Sequence, residues 1–534
     1  MGKATFSLLS ILLLARHGQS LFISDGIQNV HQPSFLQLNR PSSSSDTCEQ
    51  TYGFLPCTTT ILGNLFLMLA YGYLMLRAAI CLSTGSELLL NILGSGVIGG
   101  FLLPVLGAFP DALLILVSGL SGSKETAQNQ VSIGMGLLAG STVMLLTWLW
   151  GSCVVTGKCD LSEDSIALDS QDSKWCSLIG SGVTTDSPTS YAARIMLISV
   201  IPFFIVQLQA VFKSSSGKRI AILVSLVVSI AFLLSYCLYQ VFQTWIQERS
   251  RKYAKLKLVM SGIIRSVQKD PLGWPLIKNG KPNTPVLEKI FQRIDQDSNE
   301  YISPAELRAL IVGIDFHGIN LNADDAVMIV MRDFDTSHDN KIRKLANDFT
   351  EIATGEYALL TAKSDDVLEN VENVPLVWFQ AASLLLLGTV IAAVFADPLI
   401  DAVENFSSAT SIPSFFVSFI AMPLATNSSE AVSAIIFARR KKETTTSLTF
   451  SEIYGSATMN NTLCLAVFLA LVYFRNLTWD FSAEVLVILI VCIVMGLFAS
   501  FRTTYQLWTC FVAFLFYPLS LALVYVLDYC FGWS

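Results

Sequence analysis

Met422-Pro-Leu-Ala-Thr-Asn-Ser-Ser-Glu430 puts a carboxylate, a proline and a run of hydroxyl and amide side chains inside a mostly apolar stretch, Phe415 to Ala438. Gly107-Ala-Phe-Pro-Asp111 does the same within the apolar run from Leu88 to Val117. A charge at the centre of a membrane helix costs about 2.5 to 3.5 kcal/mol or more, so an acid there marks function by default. Pro110 and Pro423 each remove a backbone donor and free carbonyls of the preceding turn. Freed carbonyls beside a carboxylate make an oxygen-rich place for a hard cation.

The two acids are conspicuous because charge is scarce around them. Of 534 residues, 52% are hydrophobic and 14% charged, against about a quarter charged in a soluble domain. The net charge of -7 offers no basic footprint for nucleic acid. The same composition excludes disorder and collagen. Roughly half of all charges fall between Trp245 and Val374, which implies one aqueous insert in a chain otherwise solvated by lipid.

Outside the insert the apolar runs reach about 20 residues, enough to cross a bilayer. Ten spans are expected, near Ile61 to Leu82, Leu88 to Gly119, Val131 to Val154, Ala192 to Phe212 and Ile220 to Ile246, then Leu376 to Phe395, Phe415 to Ala438, Ile453 to Phe474, Ala483 to Phe501 and Leu507 to Leu527. The fold class is an all-α polytopic membrane protein. Its expected segments are a signal peptide at 1–20, a lumenal or extracellular tail at 21–57, a first five-helix half at 58–246, a cytosolic insert at 247–375 and a second five-helix half at 376–530. Arg249, Arg251, Lys252, Lys255 and Lys257 follow span five, and Arg439 to Lys442 follow span seven. Both clusters are cytosolic only if the N-terminus is lumenal. The sequons at Asn405 and Asn476 then fall in lumenal loops, where they are glycosylation candidates.

Eleven cysteines divide by location. Cys48 and Cys57 bracket a short loop in the oxidising lumenal tail and are candidates for a disulfide. Cys153, Cys159 and Cys176 fall in one cytosolic loop without a nearby His, too few ligands for a zinc site.

Each half pairs its acid with a small and polar span: Gly134-Met-Gly136 and Gly140-Ser-Thr142 follow Asp111, and Gly455-Ser-Ala-Thr458 and Asn460-Asn-Thr462 follow Glu430. Five crossings separate spans two and seven, so the halves are inverted repeats, a plan that places the transport site at the midplane. Asp111 and Glu430 can neutralise one Ca2+, with neutral oxygens from Ser118, Ser141, Thr426, Asn427, Ser429, Ser456 and Asn460. Emptied of Ca2+, two facing carboxylates repel and demand replacement cations. Na+ or H+ meets that demand, so exchange is the expected chemistry.

The insert carries an EF-hand pattern, with Asp295, Asp297, Asn299, the Tyr301 carbonyl, Ser303 and Glu306 at the six ligand positions. Glu300 replaces the usual turn glycine. A second loop supplies Asp335, Ser337, Asp339 and Lys341 but has Arg343 and Ala346 at its last two ligand positions, so it is degenerate. Ile342 can pair with Ile302 across the strand that joins two EF-hands.

These motifs resemble the cation/calcium exchanger superfamily, and the EF-hand pair between five-helix halves is similar to plant sodium/calcium exchanger-like proteins. The resemblance implies secondary active Ca2+ extrusion from the cytosol, in the vacuolar or plasma membrane, with roles in Ca2+ homeostasis and salt response. Asp111 departs from the more usual Glu. A proton/Ca2+ antiporter and a Ca2+-gated channel are the alternatives. An enzyme is not expected: all four His lie outside the spans, as haem ligation does not allow, and no phosphate-cradling loop is present. The expected partners are the bilayer and inorganic cations; the sequence names no protein partner.

Overall fold

Long apolar runs become long helices because, in a hydrocarbon layer, every backbone N–H and C=O must be bonded within the protein. The computed structural model describes residues 51–53, 55–93, 105–120, 123–161, 177–211, 215–242, 374–441 and 443–532, with 277–278, 281–282, 295, 297, 299, 301–311, 323–334 and 342–343 of the insert. The first half contains α1 (Ile61–Leu93), α2 (Phe109–Leu120), α3 (Lys124–Gly157), α4 (Ser187–Gln207) and α5 (Ser215–Phe242). The insert contributes α6 (Pro304–Ile311) and α7 (Ala323–Phe334). The second half contains α8 (Val374–Thr410), α9 (Ser414–Thr426), α10 (Ser428–Ala438), α11 (443–475), α12 (Ser482–Phe501) and α13 (Trp508–Tyr525).

Strands are short. β1 (Cys159–Asp160) pairs with β2 (Ser181–Thr184), β3 (Ile277–Lys278) with β4 (Lys281–Pro282), and β5 (Tyr301–Ile302) with β6 (Ile342–Arg343), all antiparallel. Ile302 stands opposite Ile342. β7 (Thr504–Gln506) adds to β2 with Tyr505 opposite Val183, tying the turn between α12 and α13 to the start of α4. The core lies between α3 and α11, where the Trp150 indole donates to the Tyr454 hydroxyl at 2.9 Å and stacks edge-on against Phe450 and Tyr505.

Among the described residues eight helices are long and apolar enough to cross a bilayer, and α9 with α10, bent by 61°, makes a ninth if the pair is one span. The expected span from Leu88 to Gly119 is not a single helix. α1 runs unbroken to Leu93, and α2 has 12 residues, about 18 Å of helix against a core of about 30 Å. The gap expected around residues 83–87 is helix because Gly85 serves close packing. A Cβ there would come within 2.9 Å of Leu385 on α8, and one on Gly388 would come within 2.9 Å of the Ala78 carbonyl on α1. Small residues that let backbones approach are the usual interface of membrane helices.

The second half differs in the same way. α8 continues past Phe395 to Thr410 with Pro398 inside it. Asn405 therefore sits half-buried on a helix instead of in a loop, whereas Asn476 is exposed at the left-handed C-cap of α11 (φ 53°). Cys153 lies inside α3 and Cys159 in β1, and both are buried. Cys57 is disulfide-bonded. Cys48, Cys176, the expected signal peptide and tail up to residue 50, the basic run at 249–257 and the expected second EF-hand loop from Asp335 to Lys341 lie outside the described residues.

Candidate functional site

Two helix starts carry the site. α2 begins after a break at Ala108 and α10 after a break at Asn427, and in each the acid is the third residue: Phe109-Pro-Asp111 and Ser428-Ser-Glu430. The next amide bonds back to the break residue in both, Ala112 N–H to Ala108 O at 3.0 Å and Ala431 N–H to Asn427 O at 2.9 Å. Asp111 and Glu430 are thus equivalent, and so are Ala108 and Asn427. By the same spacing Pro423, seven residues before its acid, corresponds to Pro104 and not to Pro110. Pro104 itself lies outside the described residues.

The following helices repeat as well. α3 widens into a π-turn at Leu145–Leu149, five residues after Gly140, and α11 does so at Asn460–Cys464, five residues after Gly455. Thr147 and Thr462 donate to carbonyls one turn back, at 2.6 and 2.8 Å. π-turns of this kind gather at functional sites because they re-aim side chains and unsettle the carbonyl ladder. The register makes Ser141 equivalent to Ser456.

These four elements bring the expected oxygens together. Asp111 is 3% exposed, and the hydroxyls of Thr426 and Ser141 lie beside its carboxylate. Glu430 accepts from Ser456 Oγ at 3.2 Å and is close enough to feel the Asp111 charge. Gly107 leaves room for it, since a Cβ there would touch Glu430 Oε1 at 3.4 Å. Thr426 Oγ1 donates to the Met422 carbonyl at 3.3 Å, so its lone pairs remain for a cation. Asn460 accepts from Cys464 Sγ at 3.7 Å, and the same thiol lies 3.9 Å from the Ala108 carbonyl, which places Asn460 beside the α2 break.

Several buried polar atoms of these elements complete no hydrogen bond among the described residues: the oxygens Asp111 Oδ1, Ser141 Oγ, Thr142 Oγ1 and Asn461 Oδ1, and the amide donors Asn427 Nδ2 and Asn460 Nδ2. An unpaired buried polar atom costs about 1 to 3 kcal/mol, and the two oxygens of this set at the acid, Asp111 Oδ1 and Ser141 Oγ, are left to bind a cation. Two carboxylates with hydroxyl and amide oxygens suit a hard cation such as Ca2+ or Na+.

Ser118 does not join this group. Its hydroxyl donates to Ile115 O at 2.8 Å and packs where a Cβ on Gly134 would sit 2.7 Å away, so it is part of the α2–α3 contact, two turns from Asp111. Ser429 is half-buried in the first turn of α10. Thr142 and Asn461, one residue after Ser141 and Asn460, are buried as well, but Asn461 Nδ2 donates to Ser199 Oγ of α4 at 3.0 Å. In the insert, single carboxylate oxygens of Asp295, Asp297 and Glu306 lie within 4.8 Å of one another. Ser303 Oγ and N–H both donate to Glu306 Oε2, at 2.7 and 2.9 Å, and the Asn299 and Tyr301 amides bond back into the loop.

Residues 380–526 match the family described as sodium/calcium exchanger protein. The chain is 59% identical to the sodium/calcium exchanger NCL2 of Oryza sativa subsp. japonica, covering 98% of this chain and 96% of that one. It is 57% identical to the sodium/calcium exchanger NCL of Arabidopsis thaliana, over 92% of this chain and 89% of that one. A solved structure of the H+/Ca2+ exchanger CAX aligns with a TM-score of 0.40 at 12% identity, covering 87% of this chain and 84% of that one.

Proposed function

The chain belongs to the sodium/calcium exchanger family, and from that premise we propose that it exchanges Na+ for Ca2+ across a membrane by alternating access, using the pocket between Asp111 and Glu430. The protein is a multi-pass membrane transporter of inorganic cations. The observation that carries the reading is the meeting of two symmetry-related carboxylates at the starts of two half-helices, among buried oxygens with no partner of their own.

The charge balance explains the chemistry. Two ionised carboxylates at short range are stable only with about two positive charges between them. One Ca2+ supplies these, and so do monovalent cations entering from the other side. Neither ion can leave without the other taking its place, which couples the two fluxes. The inverted order of the halves gives a site that can open to either face by rocking one half against the other. Ca2+ leaves the cytosol in this reading, toward a vacuolar or external space, which serves Ca2+ homeostasis and the response to salt.

The counterion is tested by flux. Reconstituted vesicles loaded with Na+ should take up Ca2+ on dilution into Na+-free medium, while a pH gradient of equal size should drive little uptake. Uptake driven by the pH gradient alone would make the protein a proton/Ca2+ antiporter.

The insert is read as a Ca2+ sensor. Asp295, Asp297, Asn299, Ser303 and Glu306, with the Tyr301 carbonyl, would hold one Ca2+, and Glu306 would supply the bidentate carboxylate that closes such a loop. Filling this loop on the cytosolic face biases the transport cycle. Glu306→Gln should move the cytosolic Ca2+ concentration that gives half-maximal flux upward by at least about tenfold, the equivalent of 1.4 kcal/mol of lost binding. Flux measured against Ca2+ on that face checks this, and an unchanged curve would remove the hand from regulation.

A further inference from the structure

A second group of acids lies on α8, away from the pocket just described. Asp397, Asp401 and Glu404 are spaced by four and three residues and so share one face of the helix. Acids on a membrane-spanning helix normally face the bundle interior or a water-filled path and mark an ion route. All three are half-buried.

Hydrogen-bond donors from elsewhere in the chain meet each of them. Tyr52 donates to Asp397 Oδ2 at 3.2 Å, and Thr51 donates to Asp401 Oδ2. Gln130 of α3 donates through Nε2 to both Asp401 Oδ1 at 3.4 Å and Glu404 Oε2 at 3.2 Å.

Two buried oxygens at the same place have no partner. Gln130 is 3% exposed and Tyr71 is 6% exposed, yet Gln130 Oε1 and the Tyr71 hydroxyl complete no hydrogen bond among the described residues. Tyr71 lies within electrostatic reach of Asp401. A buried amide held between two carboxylates by its nitrogen, with its oxygen orphaned, is one half-turn from offering that oxygen instead.

We propose that Asp401 and Glu404, with Asp397, Gln130 Oε1 and the Tyr71 hydroxyl, form a second site for a hard divalent cation such as Ca2+, closed in this structure by donors from Gln130 and the Thr51–Gly53 segment. Gln130 Nε2 stands between the two carboxylates where the ion would sit. Arrival of the ion turns the amide over, draws Asp401 and Glu404 together, and releases Thr51 and Tyr52. Water completes the six to eight oxygens that Ca2+ takes. The site is a waiting station at the end of the bundle where the N-terminal segment meets α8. The transport reading is used only to supply the ion, and the test below reads binding without flux.

Terbium luminescence provides the test, because Tb3+ occupies Ca2+ sites and is excited by a neighbouring tyrosine, here Tyr52 or Tyr71. The full chain, purified in detergent with Asp111→Asn, Glu430→Gln and Glu306→Gln, should still give a Tb3+ signal that Ca2+ displaces. Adding Asp401→Asn with Glu404→Gln should weaken that component by at least about tenfold, and Tyr71→Phe should dim it. With Asp401 and Glu404 retained in that same background, Gln130→Glu should tighten the component several-fold by adding an anionic oxygen, a gain that misfolding cannot imitate. A Tb3+ signal indifferent to Asp401→Asn with Glu404→Gln, or an affinity unmoved by Gln130→Glu, would overturn the proposal.

Discussion

Glu430→Gln should abolish Ca2+ uptake into reconstituted vesicles, and Asp111→Asn should do the same. Each substitution keeps the size of the side chain and removes one of the two negative charges that hold the ion. Removing one partner from a buried charge assembly costs about 3 to 5 kcal/mol, which at 1.4 kcal/mol per factor of ten is a loss of more than about a hundredfold in affinity. The fold should survive, because a neutral amide is easier to bury than a carboxylate. Thermal melting in detergent should therefore stay where it is or rise while uptake disappears. The double variant should be little worse than either single one, since both remove the same bound ion. Undiminished uptake in either single variant would take that residue out of the site.

Gly140→Ala is expected to be as damaging by a different route. A Cβ at residue 140 would come within 2.9 Å of Phe419 Cα and collide with the Phe419 carbonyl, so the obstacle is backbone and cannot rotate away. Gly136 meets α9 in the same way, at 2.7 Å from the Phe415 carbonyl. Overpacking a close contact costs about 1 to 3 kcal/mol, and here it also pushes α3 from α9, separating Ser141 from Thr426 across the Asp111 carboxylate. Both melting temperature and uptake should fall. Gly72→Ala is the control: its added carbon would meet the Ala425 Cβ at an ordinary 3.6 Å, and neither quantity should change. Normal uptake by Gly140→Ala would mean that the α3–α9 approach does not position the pocket.

The acids at the centre of this account were visible in the sequence because their surroundings are so apolar, and the small and polar character of α3 and α11 was visible for the same reason. Three features were not. Gly85 sits in a Ser-Thr-Gly-Ser run that has the composition of a loop, yet the structure uses the glycine to bring α1 against α8. Composition does not distinguish a glycine that breaks a helix from one that packs it. Asp397, Asp401 and Glu404 pass for the start of a loop after Phe395, whereas α8 runs on through them to Thr410. Ser118 resembles a ligand by its chemistry but is spent on its own helix and on the contact with Gly134. The pairing of the two repeats was also displaced: Pro110 attracts the comparison with Pro423 by residue type, whereas backbone bonds to Ala108 and Asn427 set the true register.

In the exchange proposed above, Ca2+ moves because another cation moves the other way through the same two carboxylates. Vesicles containing only this chain, with equal Ca2+ inside and out, test it when they are loaded with Na+ and diluted into Na+-free medium. Internal Ca2+ should climb above the external concentration, an ionophore which dissipates the Na+ gradient should bring it back, and the Glu430→Gln protein should show neither change. Ca2+ that never exceeds the external level whatever gradient is imposed, as through a channel, would contradict it.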